Sequence, residues 1–176
     1  MYQGKFNIVT DMQYGSTGKG CIASYLAWKY RPDVLSTTNM ANAGHTAVNV
    51  DGAKFIGKIF PSPAAIHKWY PDYSPAIFIG PTSAFTLETF FKELNELDAG
   101  SGGKICIHPR AGVITNQHKL AEDDVTTGTK HLASTMQGCG TFLADKIMRR
   151  PNLKLARDYP ELSEYIIHNS EDNSMP

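Results

Sequence analysis

A mainly parallel α/β sheet with flanking helices and one β-hairpin is the fold this sequence predicts. Three observations carry it. Short apolar runs bounded by turn residues alternate with helical patterns, as strands joined by crossover helices do. A glycine-rich turn, Gly15-Ser16-Thr17-Gly18-Lys19-Gly20, separates an apolar run from a helical pattern and makes a P-loop-like phosphate loop. The pair Asp51-Gly52, set between two apolar segments, is a hairpin signal.

Taken in order, residues 6–10 read as a buried strand and 19–29 as the helix after the glycine-rich turn, with Ile22, Tyr25 and Leu26 at helical spacing. Arg31-Pro32-Asp33 stops that helix, and 34–38 resumes as a short strand. Segments 46–50 and 54–60 flank Asp51-Gly52, read as a type I′ turn in which both central residues need φ > 0. Pro61, Pro63, Pro71 and Pro75 keep the next stretch irregular, and 76–79 is another buried strand. Leu87, Phe90, Phe91, Leu94 and Leu97 predict a helix over 86–97. Gly100-Ser101-Gly102-Gly103 ends it and leads to a strand at 104–107. A short helix follows near 116–123, then a long polar loop over 126–140 and a helix over 141–150. Trp28, Trp69, Phe90 and Phe91 read as core. Residues 1–168 form the folded unit, and the polar segment 169–176 is a disordered tail with no reason to pack.

The chain has 176 residues, enough for one domain with a substantial core. Seventeen basic and seventeen acidic residues leave no net charge. No basic stripe with interleaved aromatics occurs, which argues against a nucleic-acid polymer as partner. Three scattered cysteines, Cys21, Cys106 and Cys139, suggest a reduced cytoplasmic setting and neither a disulfide framework nor a zinc site. His67, His108, His118, His131 and His168 show no metal-ligand spacing. No apolar run approaches the ~18 residues of a membrane span.

The chemistry concentrates in the glycine-rich turn. Its free backbone N–H groups meet the positive end of a helix dipole, and Lys19 adds a mobile cation, so a nucleotide phosphate is the natural guest. The spacing departs from the usual P-loop, since Gly20 rather than Ser or Thr follows the lysine. By itself the hexamer is equally consistent with a tight strand-to-helix connection. Further along stand Asn42-Ala43-Gly44-His45-Thr46, then Ser134-Thr135-Met136-Gln137-Gly138-Cys139-Gly140, then Asp145-Lys146 and Arg149-Arg150. In this order and at these spacings the set resembles the N-terminal half of adenylosuccinate synthetases, over about residues 6–150. Those enzymes join aspartate to a purine 6-oxo nucleotide at the expense of a nucleoside triphosphate. Their first loop typically reads Gly-Asp-Glu-Gly-Lys-Gly-Lys, whereas this chain has Ser16, Thr17 and Cys21 at the acidic and final lysine positions. Gln13-Tyr14-Gly15-Ser16-Thr17-Gly18-Lys19-Gly20 is more similar to the phage branch, the 2-aminoadenylosuccinate synthases (PurZ).

The resemblance implies the following roles. Gly15, Ser16, Thr17, Gly18, Lys19 and Gly20 cradle phosphate. Asn42, Ala43, Gly44, His45 and Thr46 hold the nucleotide, with His45 as the acid at the purine 6-oxygen. Gly44 faces Mg2+ through its carbonyl, and Ser16 stands where the family's metal-ligating base is a carboxylate. A serine hydroxyl is neutral and a weaker magnesium ligand, so Ser16, His45 and Lys19 are the catalytic candidates without the base assignment carried over. The smaller Ser16 leaves room for the 2-amino group of guanine; the plain alternative is that it caps the following helix. Thr135 binds the 5′-phosphate, Gln137 occupies an arginine position of the family, and Gly138 and Gly140 permit close backbone approach. Arg149 reaches a neighbouring subunit's nucleotide in a homodimer, or else Arg149-Arg150 only complements its helix dipole. Asp145-Lys146 makes local structure, and Cys139 packs.

The function so implied is ligation of L-aspartate to C6 of dGMP with ATP or dATP and Mg2+, giving 2-amino-2′-deoxyadenylosuccinate. Two alternatives stand beside it: an ordinary adenylosuccinate synthetase using IMP and GTP, and a purine-nucleotide-binding module without turnover. A generic P-loop phosphohydrolase is disfavoured by the residue after Lys19. Neither a nucleic-acid polymer nor a membrane is expected as partner.

Overall fold

The computed structural model describes residues 6–13, 15–97, 103–123 and 134–167. In chain order the elements are α1 (Lys19–Tyr30), β1 (Val34–Thr37), β2 (His45–Val48), β3 (Lys54–Gly57), a 3-10 turn at Ser62–Ala64, α2 (Ala65–Trp69) and β4 (Ala76–Ile79). There follow β5 (Ala84–Phe85), α3 (Leu87–Leu97), β6 (Ile105–Ile107), β7 (Gly112–Val113), α4 (Asn116–Asp123), α5 (Cys139–Ile147) and 3-10 turns at Ala156–Asp158 and Pro160–Tyr165.

Strands β1, β4 and β6 form a parallel sheet in that order, with Leu35 opposite Ile77 and Ile77 opposite Ile105. The predicted mainly parallel α/β fold is therefore present. Side chains two apart share a sheet face, and Ile77, Ile79, Ile105 and Ile107 are all buried in the main core. That core is filled by Phe60, Phe85, Phe90, Leu97 and Leu162. Phe90 is its hub, with the rings of Phe60 and Phe85 stacked at 5.5 and 5.6 Å and Tyr165 edge-on at 5.3 Å. The second strand pair, β5 with β7, is also parallel, and β2 with β3 makes the predicted hairpin.

Several expectations are corrected. Residues 6–10 form no strand, and Phe6 and Ile8 are 84% and 76% exposed. Apolar alternation makes a strand only where a partner strand offers its unpaired edge, and none of the described strands pairs with this segment. The hairpin turn is not type I′. Only Gly52 has positive φ (+87°), Gly52 N–H donates to Asn49 C=O, and Asp51 Oδ1 accepts from Ala53 N–H, which is a type I turn closed by a left-handed glycine. The proline-rich stretch is not wholly irregular: Pro63 sits inside the 3-10 turn, whose first positions need no N–H, and α2 follows directly.

In α1 the buried face is Gly20, Ser24 and Ala27, while Ile22, Tyr25 and Trp28 are exposed, contrary to the expected core role of Trp28. Small residues face inward because α1 packs directly on β2 and on the 3-10 turn. Phe91 is likewise outside the core, since Phe90 already occupies the inward position of α3. The last helix begins at Cys139, two residues before the predicted start, because Gly138 adopts a left-handed conformation that turns the chain into it. Most of the loop predicted over 126–140, the 169–176 tail and part of the glycine-rich break lie outside the described residues, as do Tyr14, His131 and His168.

Candidate functional site

The phosphate loop takes the shape its glycines permit. Gly15 and Gly18 have φ of +95° and +81°, and Gly18 is the residue preceding α1, with no side-chain cap. Ser16 is exposed and does not cap α1, so that plain alternative is set aside. Lys19 opens the helix half-buried, at the end where the dipole is positive.

Gly20 joins the first motif to the second. A Cβ there would lie 2.7 Å from the Thr46 carbonyl oxygen and 2.8 Å from the Thr46 nitrogen, so only glycine lets α1 touch the start of β2. Cys21 Sγ lies 3.3 Å from the same carbonyl oxygen. Ser24 Oγ and Ser62 Oγ both donate to the Gly20 carbonyl, at 2.8 and 3.1 Å, locking the loop's helical limb to the 3-10 turn. The turn is itself anchored from behind. The buried Glu93 carboxylate of α3 accepts the N–H groups of Lys58, Ile59 and Phe60 at 2.8, 3.1 and 3.0 Å. Burial raises the Glu93 pKa, opposed by those three donors.

His45, the first residue of β2, stands beside this loop. Burial lowers its pKa, the Lys19 charge lowers it further and the Asp11 carboxylate works the other way. The imidazole is therefore neutral at pH 7 and offers one N–H to a developing negative oxygen. Asp11 itself accepts from Lys19 Nζ and Thr17 Oγ1. Lys19 and then Thr17 hold its carboxyl below the usual value. With Thr10, Gln13, Thr17 and Lys19, Asp11 lines a cleft of about 290 Å³.

The second motif also meets the third. Ala41 and the buried Cys139 share one apolar cluster with Ala84, Ile114 and Phe142, and the backbone of Asn42 and of Ala41 hydrogen-bonds the Cys139 sulfur. Burial raises the Cys139 thiol pKa, consistent with packing. Asn42 and Gly44 are exposed at the loop, with Ala43 N–H donating to Met40 C=O at 3.0 Å.

The third motif's glycines permit the expected close approach, and what approaches them is protein. The buried Glu122 carboxylate accepts the Gly138 and Gly140 N–H groups at 2.7 and 2.8 Å, so these amides face a protein anion rather than a phosphate. At Gly138 a Cβ would collide with Ile114, His118 and Lys119; the glycine serves close packing of α5 on α4. Thr135 is exposed, and Gln137 Nε2 donates to its carbonyl at 3.2 Å. Arg149 is exposed just beyond α5 in a left-handed conformation (φ +51°). Lys146 Nζ donates to the Pro81 and Arg110 carbonyls, a local structural role as read for the Asp145-Lys146 pair.

Asp11, Glu93 and Glu122 are the residues sequence reasoning missed. Their partners lie 6 to 35 positions away, and no short motif joins them.

His118 extends this packing to pH. Its Nδ1 accepts the Thr115 N–H at 2.9 Å, and burial outweighs Asp145 in lowering its pKa. With His45 and His118 both depressed, the unfolded chain takes up protons first as pH falls. The stability they contribute is full above pH ~6.5 and is lost as pH falls through the lower folded-state values. Thermal unfolding between pH 8 and pH 5 is expected to show Tm falling on the acid side, with a shallower fall in His118→Gln.

A family model described as adenylosuccinate synthetase matches residues 8–163. The chain belongs to the adenylosuccinate synthetase family. It is 37% identical over 157 residues to the N6-succino-2-amino-2′-deoxyadenylate synthase of Acinetobacter phage SH-Ab 15497, covering 88% of this chain and 38% of that protein. It is 33% identical to the adenylosuccinate synthetase of Methanococcus vannielii, covering 90% of this chain and 45% of that one. The structure resembles cyanophage S-2L succinoaminodeoxyadenylate synthetase (PurZ) bound to dGMP and dATP, with a TM-score of 0.71 and 31% identity over 93% of this chain and 45% of that one. The chain thus spans less than half the length of these synthetases. Among the described residues no helix is long and apolar enough to cross a membrane.

Proposed function

We propose that this chain forms the phosphate-loop side of a succinoaminodeoxyadenylate synthase, joining L-aspartate to C6 of dGMP with ATP or dATP in the cytoplasm. The observation that carries the reading is the packing of a Gly15–Gly20 loop that carries no carboxylate, with Ser16 where an acidic residue is typical, directly against His45 through Gly20. The phage relatives and the fold of PurZ support it.

In this reading the loop amides and Lys19 hold the γ-phosphate while guanine O6 attacks its phosphorus and the nucleoside diphosphate leaves. His45 donates to O6. The aspartate amine then displaces phosphate at C6, so the triphosphate serves to turn a poor leaving group into a good one. Asn42, Ala43 and Thr46 line the nucleotide, Thr135 and Gln137 meet its 5′-phosphate, and Arg149 serves a neighbouring subunit of a homodimer.

Among the described residues no cluster of three or more His, Cys, Asp or Glu side chains offers a closed cation cage. The exposed Ser16 and Gly44 fit magnesium of a different kind, an ion that keeps waters and rides on nucleotide phosphates. Ser16 Oγ and the Gly44 carbonyl would hold it. It would supply charge neutralisation on the transferring phosphoryl group.

Mass spectrometry of the chain with dGMP, ATP or dATP, magnesium and aspartate, beside an IMP and GTP control, tests the proposal. A succinylated product from dGMP is expected. Product from IMP alone would overturn it in favour of an ordinary adenylosuccinate synthetase. Nucleotide binding without product would favour a binding module without turnover. Ser16→Asp is expected to shift kcat/KM from dGMP toward IMP by at least tenfold, ~1.4 kcal/mol, by crowding the 2-amino group; an unchanged ratio removes Ser16 from specificity.

A further inference from the structure

We infer that Asp11 is the proton-accepting carboxylate of this site, taking the N1 proton of a 6-oxopurine as its O6 is phosphorylated. The inference rests on the proposed function. Guanine O6 is a lactam oxygen, and bonding it to phosphorus while N1 keeps its proton leaves a cationic ring. If the N1–H pair shifts through C6 to O6 as the O6–P bond forms and the bridging P–O bond breaks, the ring stays neutral. The proton then needs an acceptor at N1.

The phosphate loop contains none. Residues 15–20 carry no carboxylate, and the Ser16 and Thr17 hydroxyls are neutral and weakly basic. The fold brings one in from outside the motif. Among the described residues Asp11 is the sole acidic one lining the cleft of about 290 Å³, a volume near the lower end of the ~300–1,000 Å³ typical of ligand pockets. One carboxylate oxygen accepts from Thr17 and the other from Lys19, which fixes its orientation, and each oxygen keeps a lone pair for a further donor.

The same contacts supply the timing. A γ-phosphate gives Lys19 a stronger anionic partner, so arrival of the triphosphate releases Asp11 from the ammonium and makes it more basic. His45, whose charge state Asp11 and Lys19 both influence, is the hydrogen-bond donor to O6 in the proposed reaction.

Titration calorimetry with dGMP and with N1-methyl-dGMP tests this without turnover. The parent chain is expected to prefer dGMP at least tenfold, because the methylated base cannot donate and meets the carboxylate. Asp11→Ala is expected to cut that preference to within about threefold, and Tm reports that the variant folds. A preference unchanged in Asp11→Ala overturns the inference and leaves the function standing. A parent that binds neither nucleotide overturns both. Where the parent turns over, Asp11→Asn is expected to lower kcat ~10²–10⁴-fold with KM within threefold, and adding Ser16→Asp is expected to recover part of it with IMP, which has no 2-amino group to crowd. A raised KM with unchanged kcat would instead make Asp11 a structural partner of Lys19.

Discussion

Glu93→Ala is expected to lower the unfolding free energy by ~4 kcal/mol or more. Its carboxylate is the acceptor for three consecutive backbone N–H groups, two of them belonging to the buried Ile59 and Phe60. Each buried donor left without an acceptor costs ~1–3 kcal/mol, and the deleted side chain adds a cavity. For a domain whose whole stability is ~5–15 kcal/mol, that approaches unfolding at physiological temperature. Glu93→Gln is expected to lose less, ~1–3 kcal/mol, since one oxygen still accepts while the amide nitrogen opposes another donor. Urea denaturation of the three proteins reads the series. An alanine variant within 1 kcal/mol of the parent, well below the cost of one stranded donor, would show that water replaces the carboxylate.

Gly20→Ala is expected to be the most damaging change at the site itself. Alanine improves helix propensity by up to ~1 kcal/mol over glycine, so in an isolated helix the substitution would stabilise. Here the added methyl group meets Thr46 backbone atoms at 2.7 and 2.8 Å, and neither can rotate away as a side-chain end could. Over-packing of this kind costs ~1–3 kcal/mol and moves α1 off β2. Because Lys19 rides on α1 and His45 on β2, the same shift separates the proposed phosphate holder from the proposed acid. The expected readout is a fall in kcat/KM for dGMP of tenfold or more, or a matching loss of nucleotide affinity in the absence of turnover. Equal activity with raised Tm would mean that the two elements slide apart without consequence, and would remove the close approach from the mechanism.

The two substitutions illustrate how differently fold and site were written in the sequence. A short apolar run marks the strand 76–79, and a helix is expected near 116–123. The spacing of Leu87, Phe90, Phe91, Leu94 and Leu97 places α3 within one position, because a helix with one buried face repeats its apolar residues at its own period. Periodicity misled at α1, where the inward face is Gly20, Ser24 and Ala27. Small residues carry little hydrophobic signal, and the large ones on that helix point outward. It misled again at residues 6–10, where an apolar pattern lacks a described pairing partner. The motifs of the site were legible as short local strings, since a phosphate-binding turn needs its glycines and lysine side by side. What lies against them was less so: Gly138 and Gly140 permit close approach, and it is Glu122, sixteen and eighteen residues away, that meets their N–H groups.

The sequence by itself determined the class of fold, the family and the three motifs from which the proposed site is assembled. Each is encoded in neighbouring residues, where backbone geometry and hydrophobic periodicity act over a few positions. Only the tertiary structure decided which charges serve the site and which serve the fold. Asp11 turns to Lys19, Glu93 holds the backbone behind the loop, and Glu122 closes the third motif. A carboxylate has the same formula in all three places. What distinguishes them is which donors the folded chain brings within hydrogen-bonding distance, and how much water it leaves around them.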